Sequence, residues 1–511
     1  MHTGRRRCVK VADLHLLALD DQLEVLAFQT VNGVTVLVGH KDLDVDHVDP
    51  NAVHEDPVSW WCLLGKAGYG KEEDQGKRDV SQLRHGPYDS RMPPGDGSDV
   101  GEGVGVRRKS YGRGLSPPGV VERSTLSPRG EAMRKVAVVI VFGLFCFGCS
   151  EAPVEADLDR QLQSILDSKV RDNQAVRSAA LRIDTPVLGL NWEGAAGMAD
   201  PENGIPMTPE TPLRIASNTK TFIAAAVLRL SEEGMLDIDD PIADRLPEEY
   251  VAMLDGDGYD AATMTIRHLL THTSGLFDHT STGRYEEAIV SDPMHRWTRT
   301  EQVQGAVDWG DPHGAPGEFY TYCDTGYVLL GAVIEHVSGR PMAAAVRELL
   351  DFEGLGMTST WWETLEARPT EVPDRAHQFL GDLDTADFDP SYDLYGGGGI
   401  VSTVGDLAQF YRALLTGGVF ADPATADIML TTVDGARPLP DARPLGYRMG
   451  IWVVEVEGFT TYRHTGFFGT LATYVPELDL IVTAATNQNQ DEGALTDMAV
   501  EAIRLVAKAR E

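Results

Sequence analysis

The most constraining stretch of this 511-residue chain is the apolar run just after Lys220: Phe222, Ile223, Ala224, Ala225, Ala226, Val227, Leu228 and Leu230, closed off before Gly234. Its length and its Gly and Ser punctuation predict a helix of about four turns. Apolar side chains fall on nearly every face of that helix, and a helix apolar all round has to be enclosed by the rest of the protein. Lysine is scarce in this part of the chain. After residue 150 there are only Lys169, Lys220 and Lys508, so a lysine at the head of a buried helix needs a chemical reason.

Ser217 offers one. In Ser217-Asn218-Thr219-Lys220 the two ends are three residues apart and share a helix face, so the Lys220 amine can reach the Ser217 hydroxyl. A serine hydroxyl is a weak nucleophile until a base takes its proton, and a buried lysine with a depressed pKa can be that base. The start of a helix also favours the anion that develops when serine attacks a carbonyl. The competing reading is an N-cap serine followed by a solvent-facing lysine. Ser-x-x-Lys arises by chance in such a chain with a probability of roughly 10–15%, so the pair needs corroboration elsewhere.

Charge narrows the function classes. From Ser150 onward there are 25 Lys+Arg against 58 Asp+Glu, so 33 of the 34 net negative charges lie there. A segment this acidic repels phosphate backbones and anionic lipid surfaces, which argues against nucleic acid as a partner. About 360 residues follow Ser150, enough for one large core or a core with an inserted subdomain.

Met133 is followed by Arg134 and Lys135, an apolar run from Val136 to Phe147, and then Gly148, Cys149 and Ser150. Residues 133–149 therefore read as a secretory signal peptide, too short to span a bilayer comfortably. Gly148-Cys149 resembles the cleavage site of bacterial lipoproteins, with Cys149 lipidated as the new N-terminus, although Cys146 stands where that pattern has an aliphatic residue. The expectation is an exported, periplasmic or cell-envelope lipoprotein, tied to a membrane only through that anchor. A signal peptide acts at an N-terminus, so residues 1–132 read as an upstream extension that is not part of the protein made. They carry basic clusters at Arg5-Arg6-Arg7 and Arg107-Arg108-Lys109, Gly/Pro-rich stretches and no sustained period. Gly130-Glu131 can be encoded by a purine-rich ribosome-binding stretch before Met133; the alternative is a disordered or small N-terminal domain. With Cys149 as the first residue, Cys323 is the one other cysteine and no internal disulfide is expected.

Leu158, Leu162, Ile165, Leu166 and Val170 predict an amphipathic helix over 155–170. Ala179–Ile183 and Val187–Trp192 read as strands, with turn signals at Asp184-Thr185-Pro186 and around Gly197. Leu471–Val475 and Leu480–Thr486 flank Pro476-Glu477-Leu478-Asp479 as an antiparallel hairpin, and Leu495–Lys508 returns to helical spacing. This pattern predicts an α+β fold: an antiparallel sheet built from both chain ends and flanked by helices, with a mostly helical second subdomain in the middle. Residues 150–511 would be one catalytic domain of this kind, without internal repeats.

Two further motifs corroborate Ser217 and Lys220. Tyr322-Cys323-Asp324 lies in a Pro/Gly/aromatic segment just before a predicted helix Val328–Val337, and His464-Thr465-Gly466 lies on a probable strand edge. In that order and spacing, the three motifs resemble Ser-x-x-Lys, Tyr-x-Asn and Lys-Thr-Gly of the serine β-lactamases and penicillin-binding proteins. The flanks are similar to the branch holding class C β-lactamases, D-alanyl-D-alanine carboxypeptidases, esterases and D-aminopeptidases. Leu269–Leu276, Gly396–Thr403 and Gly466–Asn487 extend the resemblance over nearly all of 155–505. It implies a β-lactamase/transpeptidase-like fold, with Ser217 acylated, Lys220 assisting its deprotonation, Tyr322 relaying a proton to and from the leaving group, and His464 bonded within the same network. The backbone N–H groups of Ser217 and Phe467 would form the oxyanion hole, and Asp324, Thr465 and Gly466 would line the substrate. His272, in a family-like loop, reads as structural, and the Gly396–Gly399 run as close-packing positions beside the site.

Two departures bear on substrate. Asp324 takes the usual asparagine position, so the amide donor is lost unless Asp324 is protonated. His464 replaces a lysine, a permanent cation that would hold a substrate carboxylate. These point first to a D-alanyl-D-alanine carboxypeptidase or D,D-peptidase, second to a carboxylesterase or weak β-lactamase, and third to a non-catalytic binder on the same fold. The substrate would be a small peptide, ester or β-lactam. Neither metal nor cofactor is implied, because ligand spacings and phosphate-binding fingerprints are absent.

Overall fold

The strand-forming runs near the two ends of residues 150–511 pair with each other. The computed structural model describes residues 7–11, 14–19, 24–31, 34–39, 154–173, 175–439, 446–489 and 492–511; the proposed signal segment 133–149, with Cys149, lies outside them. Its main sheet comprises β1 Ser178–Thr185, β2 Leu190–Asp200, β3 Ile205–Pro206, β4 Trp452–Val456, β5 Phe459–Gly466, β6 Thr470–Val475 and β7 Leu480–Thr486. The spatial order is β4-β5-β6-β7-β1-β2-β3, antiparallel throughout. The N- and C-terminal halves join at β1 and β7, in a register that runs from Ile481 opposite Asp184 to Thr486 opposite Ala179.

Five helices organise the layers: α1 Val154–Asp172, α2 Thr219–Glu232, α3 Asp324–Ser338, α4 Val404–Leu415 and α5 Glu492–Arg510. Leu162 and Leu166 of α1, with Leu495, Met498 and Ile503 of α5, pack on Leu181, Ile183, Leu471 and Val482 of the sheet. The α4 helix packs against β7, β6 and β1, and its Phe410 stacks on Phe222 of α2 with ring centroids 3.6 Å apart. Every residue of β7 is buried, as a strand sandwiched between two helical layers requires. Thr219 to Leu228 and Leu230 of α2 are all buried, so the all-round apolar helix is enclosed as its composition demands. Between β3 and β4 helices outweigh strands amid long loops, with a three-stranded sheet of Leu213–Arg214, Ile400–Ser402 and Trp361–Trp362 and two-stranded pairs of Phe379–Leu380 with Leu383–Asp384 and Phe319–Tyr320 with Arg437–Pro438. Among the described residues no helix is long and apolar enough to cross a membrane.

Three expectations differ from the structure. Val187–Trp192 is not one strand: Pro186–Leu188 is a 3-10 turn ended by Gly189 at φ 63°, and β2 begins only at Leu190. Proline cannot donate in a ladder and favours the first position of such a turn. Gly197 marks no turn either. It lies within β2 at φ 82°, where a Cβ would meet the Arg177 carbonyl oxygen at 2.2 Å, so it lets two strands close up. The N-terminal region, read as irregular, contains a four-stranded antiparallel meander of Arg7–Val11, Leu14–Leu19, Glu24–Val31 and Val34–Gly39. Asn32-Gly33 between the last two strands is a strong short hairpin signal.

Candidate active site

Ser217 sits in a 3-10 turn, Ala216–Asn218, that runs directly into α2. Ala216 holds φ 44°, a left-handed conformation that costs a non-glycine residue about 1–3 kcal/mol and aims the next side chain out of the helix axis. Lys220, on the first turn of α2, brings Nζ to 2.9 Å from Ser217 Oγ. Its side chain is fully buried.

The charge state of Lys220 departs from the sequence expectation. Nζ also donates to the Gly397 carbonyl at 2.6 Å and forms an ion pair with the Asp324 carboxylate. With Ser217 Oγ and the Tyr322 hydroxyl, which also bonds to Lys220, these are four oxygens around Nζ, of which the carbonyl and the carboxylate can only accept, a setting that suits an ammonium. Burial alone would lower the Lys220 pKa, but the Asp324 charge and the Tyr322 oxygen outweigh it and raise it. The depressed lysine expected as a base is therefore replaced by a lysine held as a cation. Asp324 is the reason: it opens α3, where an acid suits the helix N-terminus. Burial opposes its charge, yet Lys220 holds its carboxyl below the usual carboxylate range. Asp324 is thus an ion-paired acceptor, not the protonated donor that could have stood in for an amide.

Tyr322 completes the cluster. Its hydroxyl hydrogen-bonds with Ser217 and Lys220, and burial, against the pull of Lys220, pushes it up to about 12. At neutral pH it is a phenol that can accept one proton while giving up another. His464, on β5, is 1% exposed. Its Nδ1 faces the Thr465 carbonyl at 2.7 Å and so carries the hydrogen, while Nε2 faces the Tyr447 hydroxyl at 3.2 Å. Its ring lies 6.3 Å from that of Tyr322.

The strand carrying His464 is pressed onto the serine turn. At Gly466 a Cβ would meet the Ile215 carbonyl oxygen at 2.2 Å, so only glycine lets β5 lie this close. Asn218, between Ser217 and Lys220, stitches the two together. With its amide turned so that donors meet acceptors, it donates to the His464 carbonyl at 3.0 Å and accepts the Gly466 N–H at 3.2 Å. This fixes the start of α2 against the end of β5, and Phe467 follows directly with its side chain 51% exposed. The backbone positions expected to bind an oxyanion, Ser217 and Phe467, are therefore on adjoining elements. Thr465 and Gly466 lie buried along the same strand.

Sequence reasoning missed Asn218, Asp278, Thr280 and Tyr447. Thr280 Oγ1 is 2.9 Å from Asp278 Oδ2 and 3.1 Å from Asp324 Oδ2, yet it has one proton for two carboxyls. The conflict resolves if Asp278 is the protonated member, donating to Thr280, which donates to Asp324. Burial, then the Asp324 charge, pushes Asp278 up to about 7 in agreement. Neighbouring His279 is pulled down to about 4 by burial and pairs with Thr325 Oγ1 at 2.9 Å. The Gly396–Gly399 run does lie beside the site, since Gly397 supplies the carbonyl for Lys220. Among the described residues no group of three His, Cys, Asp or Glu could hold a metal ion.

The beta-lactamase family profile matches residues 170–506. Over 223 residues the chain is 34% identical to esterase EstB of Burkholderia gladioli, covering 43% of this chain and 55% of that protein. Over 358 residues it is 28% identical to penicillin-binding protein 4 of Amycolatopsis lactamdurans, covering 67% and 88%. Among solved structures, D-amino acid amidase of Ochrobactrum anthropi SV3 superposes with a TM-score of 0.58 at 26% identity, covering 70% of this chain and all of that one. Fold, motif order and sequence agree, and the chain belongs to the beta-lactamase family of serine hydrolases.

Proposed function

We propose that this protein hydrolyses esters or amides through an acyl-enzyme on Ser217, and that its substrates carry no carboxylate beside the scissile bond. The observation that carries the first part is the contact of Ser217 Oγ with the Lys220 ammonium, within reach of the Tyr322 phenol. Ser217 Oγ attacks the carbonyl carbon and passes its proton to Tyr322, which gives its own to the leaving group. The C–O or C–N bond breaks, the leaving group departs neutral, and water repeats the sequence in reverse to free the acid. Lys220 remains an ammonium throughout and stabilises the negative charge developing on Oγ.

The second part follows from charge. The two cations three residues either side of Ser217 in the chain are committed, Lys220 to Asp324 and Arg214 to Glu363 at 2.7 Å. His464 is buried with Nδ1 on a backbone carbonyl. The carboxylate of a D-Ala-D-Ala peptide or a penicillin would approach Asp324 without a free cation to receive it among these groups, whereas an uncharged ester or amide meets no such penalty. On this ground the ester and amide reading is placed ahead of the D,D-peptidase one, with an esterase and an amidase among the relatives beside penicillin-binding protein 4.

A fluorophosphonate should add a single adduct mass on the peptide containing Ser217, and Ser217→Ala should lose it while remaining folded. Turnover of p-nitrophenyl butyrate should exceed D-Ala release from a diacyl-D-Ala-D-Ala peptide, each relative to its background rate. Labelling elsewhere would overturn the nucleophile, and preferential D-Ala release would overturn the substrate class.

A further inference from the structure

We infer that His272 is a positioning residue for Tyr322, an inference that rests on the proton-relay role proposed above for that phenol. His272 is 1% exposed and makes hydrogen bonds to both chain neighbours of Tyr322. Its carbonyl accepts the Thr321 N–H at 3.0 Å, and its Nδ1 accepts the Cys323 N–H at 3.1 Å. The Tyr320–Thr321 and Tyr322–Cys323 peptide groups, one residue before Tyr322 and directly after it, are therefore anchored to one residue. The imidazole also lies against the Tyr322 ring at 4.3 Å between centroids, with Tyr447 at 4.4 Å and Tyr327 at 5.0 Å closing around it.

The backbone of His272 argues that the side chain has a purpose. It adopts φ 57°, a conformation glycine would hold without strain and that other residues hold at a cost. A turn needing only that geometry would be served best by glycine. Retaining an imidazole there makes sense because Nδ1 is the acceptor that orients the Cys323 peptide. Since that peptide joins Tyr322 to Cys323, the residue before Asp324, the same anchor bears on where the relay phenol and the Lys220 counter-charge stand relative to Ser217.

Three variants separate this from ordinary packing. His272→Gly keeps the backbone conformation and removes the acceptor and ring. His272→Asn tolerates the same φ and offers an amide oxygen in place of Nδ1. Tyr322→Phe removes the relay itself. Each is assayed with ethyl butyrate, whose alkoxide must be protonated to leave, and with p-nitrophenyl butyrate, whose phenolate leaves without help. His272→Gly should lower kcat/KM, which reads acylation up to loss of the leaving group, by about 10²-fold for the ethyl ester, the scale of a misplacement near 1 Å. It should lower kcat/KM for the nitrophenyl ester at least tenfold less (about 10-fold). His272→Asn should recover roughly half of that loss on a logarithmic scale.

An equal loss on both esters would assign His272 to packing alone and overturn the inference. So would an ethyl-to-nitrophenyl ratio unchanged in His272→Gly while it falls in Tyr322→Phe, a result that leaves the relay intact. A Tyr322→Phe variant with no leaving-group selectivity would instead overturn the relay reading. Should His272→Gly not fold, His272→Asn decides: its ratio must stay within about threefold of the wild type, and a ratio as low as that of Tyr322→Phe overturns the anchor.

Discussion

Replacing Asp324 by asparagine tests whether Lys220 works as a cation or as a base. The amide oxygen of Asp324→Asn can still accept from Nζ, so the change removes charge and keeps a hydrogen bond. Taking one partner out of a buried ion pair is worth about 3–5 kcal/mol, and at about 1.36 kcal/mol per pKa unit this lowers Lys220 by roughly 2–4 units. Burial, the strongest influence on Lys220, then acts with less opposition. If neutral lysine were the base, its population at pH 7 would rise roughly 10²–10⁴-fold, and kcat/KM would rise with it. If the ammonium is the working form, nearly all of it is still protonated at pH 7 and nothing is gained. The expected result is a kcat/KM for p-nitrophenyl butyrate that does not rise, and that falls by up to about tenfold as the site loosens. It should also lack a unit slope in log(kcat/KM) across pH 6–9. A gain of tenfold or more (about 1.4 kcal/mol) at pH 7, growing with pH, would refute the cationic role.

Asp278→Asn should be more stable than the wild type at pH 8. A carboxyl pushed up to about 7 keeps its proton in the folded protein after the unfolded chain has lost it. Stability therefore falls as pH rises from about 4 through that value and levels off above it; asparagine, which mimics the protonated donor to Thr280, should remove this fall in thermal melts across pH 4–8. Asn218→Ala takes away the acceptor of the Gly466 N–H, which should cost about 1–3 kcal/mol in urea unfolding and slow fluorophosphonate labelling of Ser217. Labelling at the wild-type rate would mean that Asn218 does not hold the serine turn against β5.

The elements with strong periodicity were legible in the chain. Helix α1, the hairpin of β6 and β7, and the enclosure of α2 followed from apolar spacing and turn residues, because those signals are local. The structure brings the motif residues of the candidate site together, while their charges are not legible from the motifs alone. That Lys220 is buried follows from the helix around it, and burial alone predicts a depressed amine. The partner that reverses the sign, Asp324, comes from the start of another helix, and a motif comparison reveals only that it is not asparagine. Asn218 carries no role in the motif Ser217-Asn218-Thr219-Lys220. Its partners lie on β5, and no local pattern announces a bond to a strand so far along the chain. The break at Pro186–Gly189 was written in the sequence and should have outweighed the apolar run Val187–Leu190.

The pairing of β1 with β7 also has a consequence for how the enzyme is made. A ribosome adding about 5–20 residues per second delivers Thr486 roughly 15–50 s after Ser217. Until then β1 lacks β7 on one side, and β5 and β6, which bear His464 and close on the serine turn, have not all been synthesised. Ser217, Lys220 and Tyr322 emerge first, and the strands that close on them follow much later. Such long-range pairing folds slowly, so the pocket around Ser217 stays open until β5 to β7 have been made and paired.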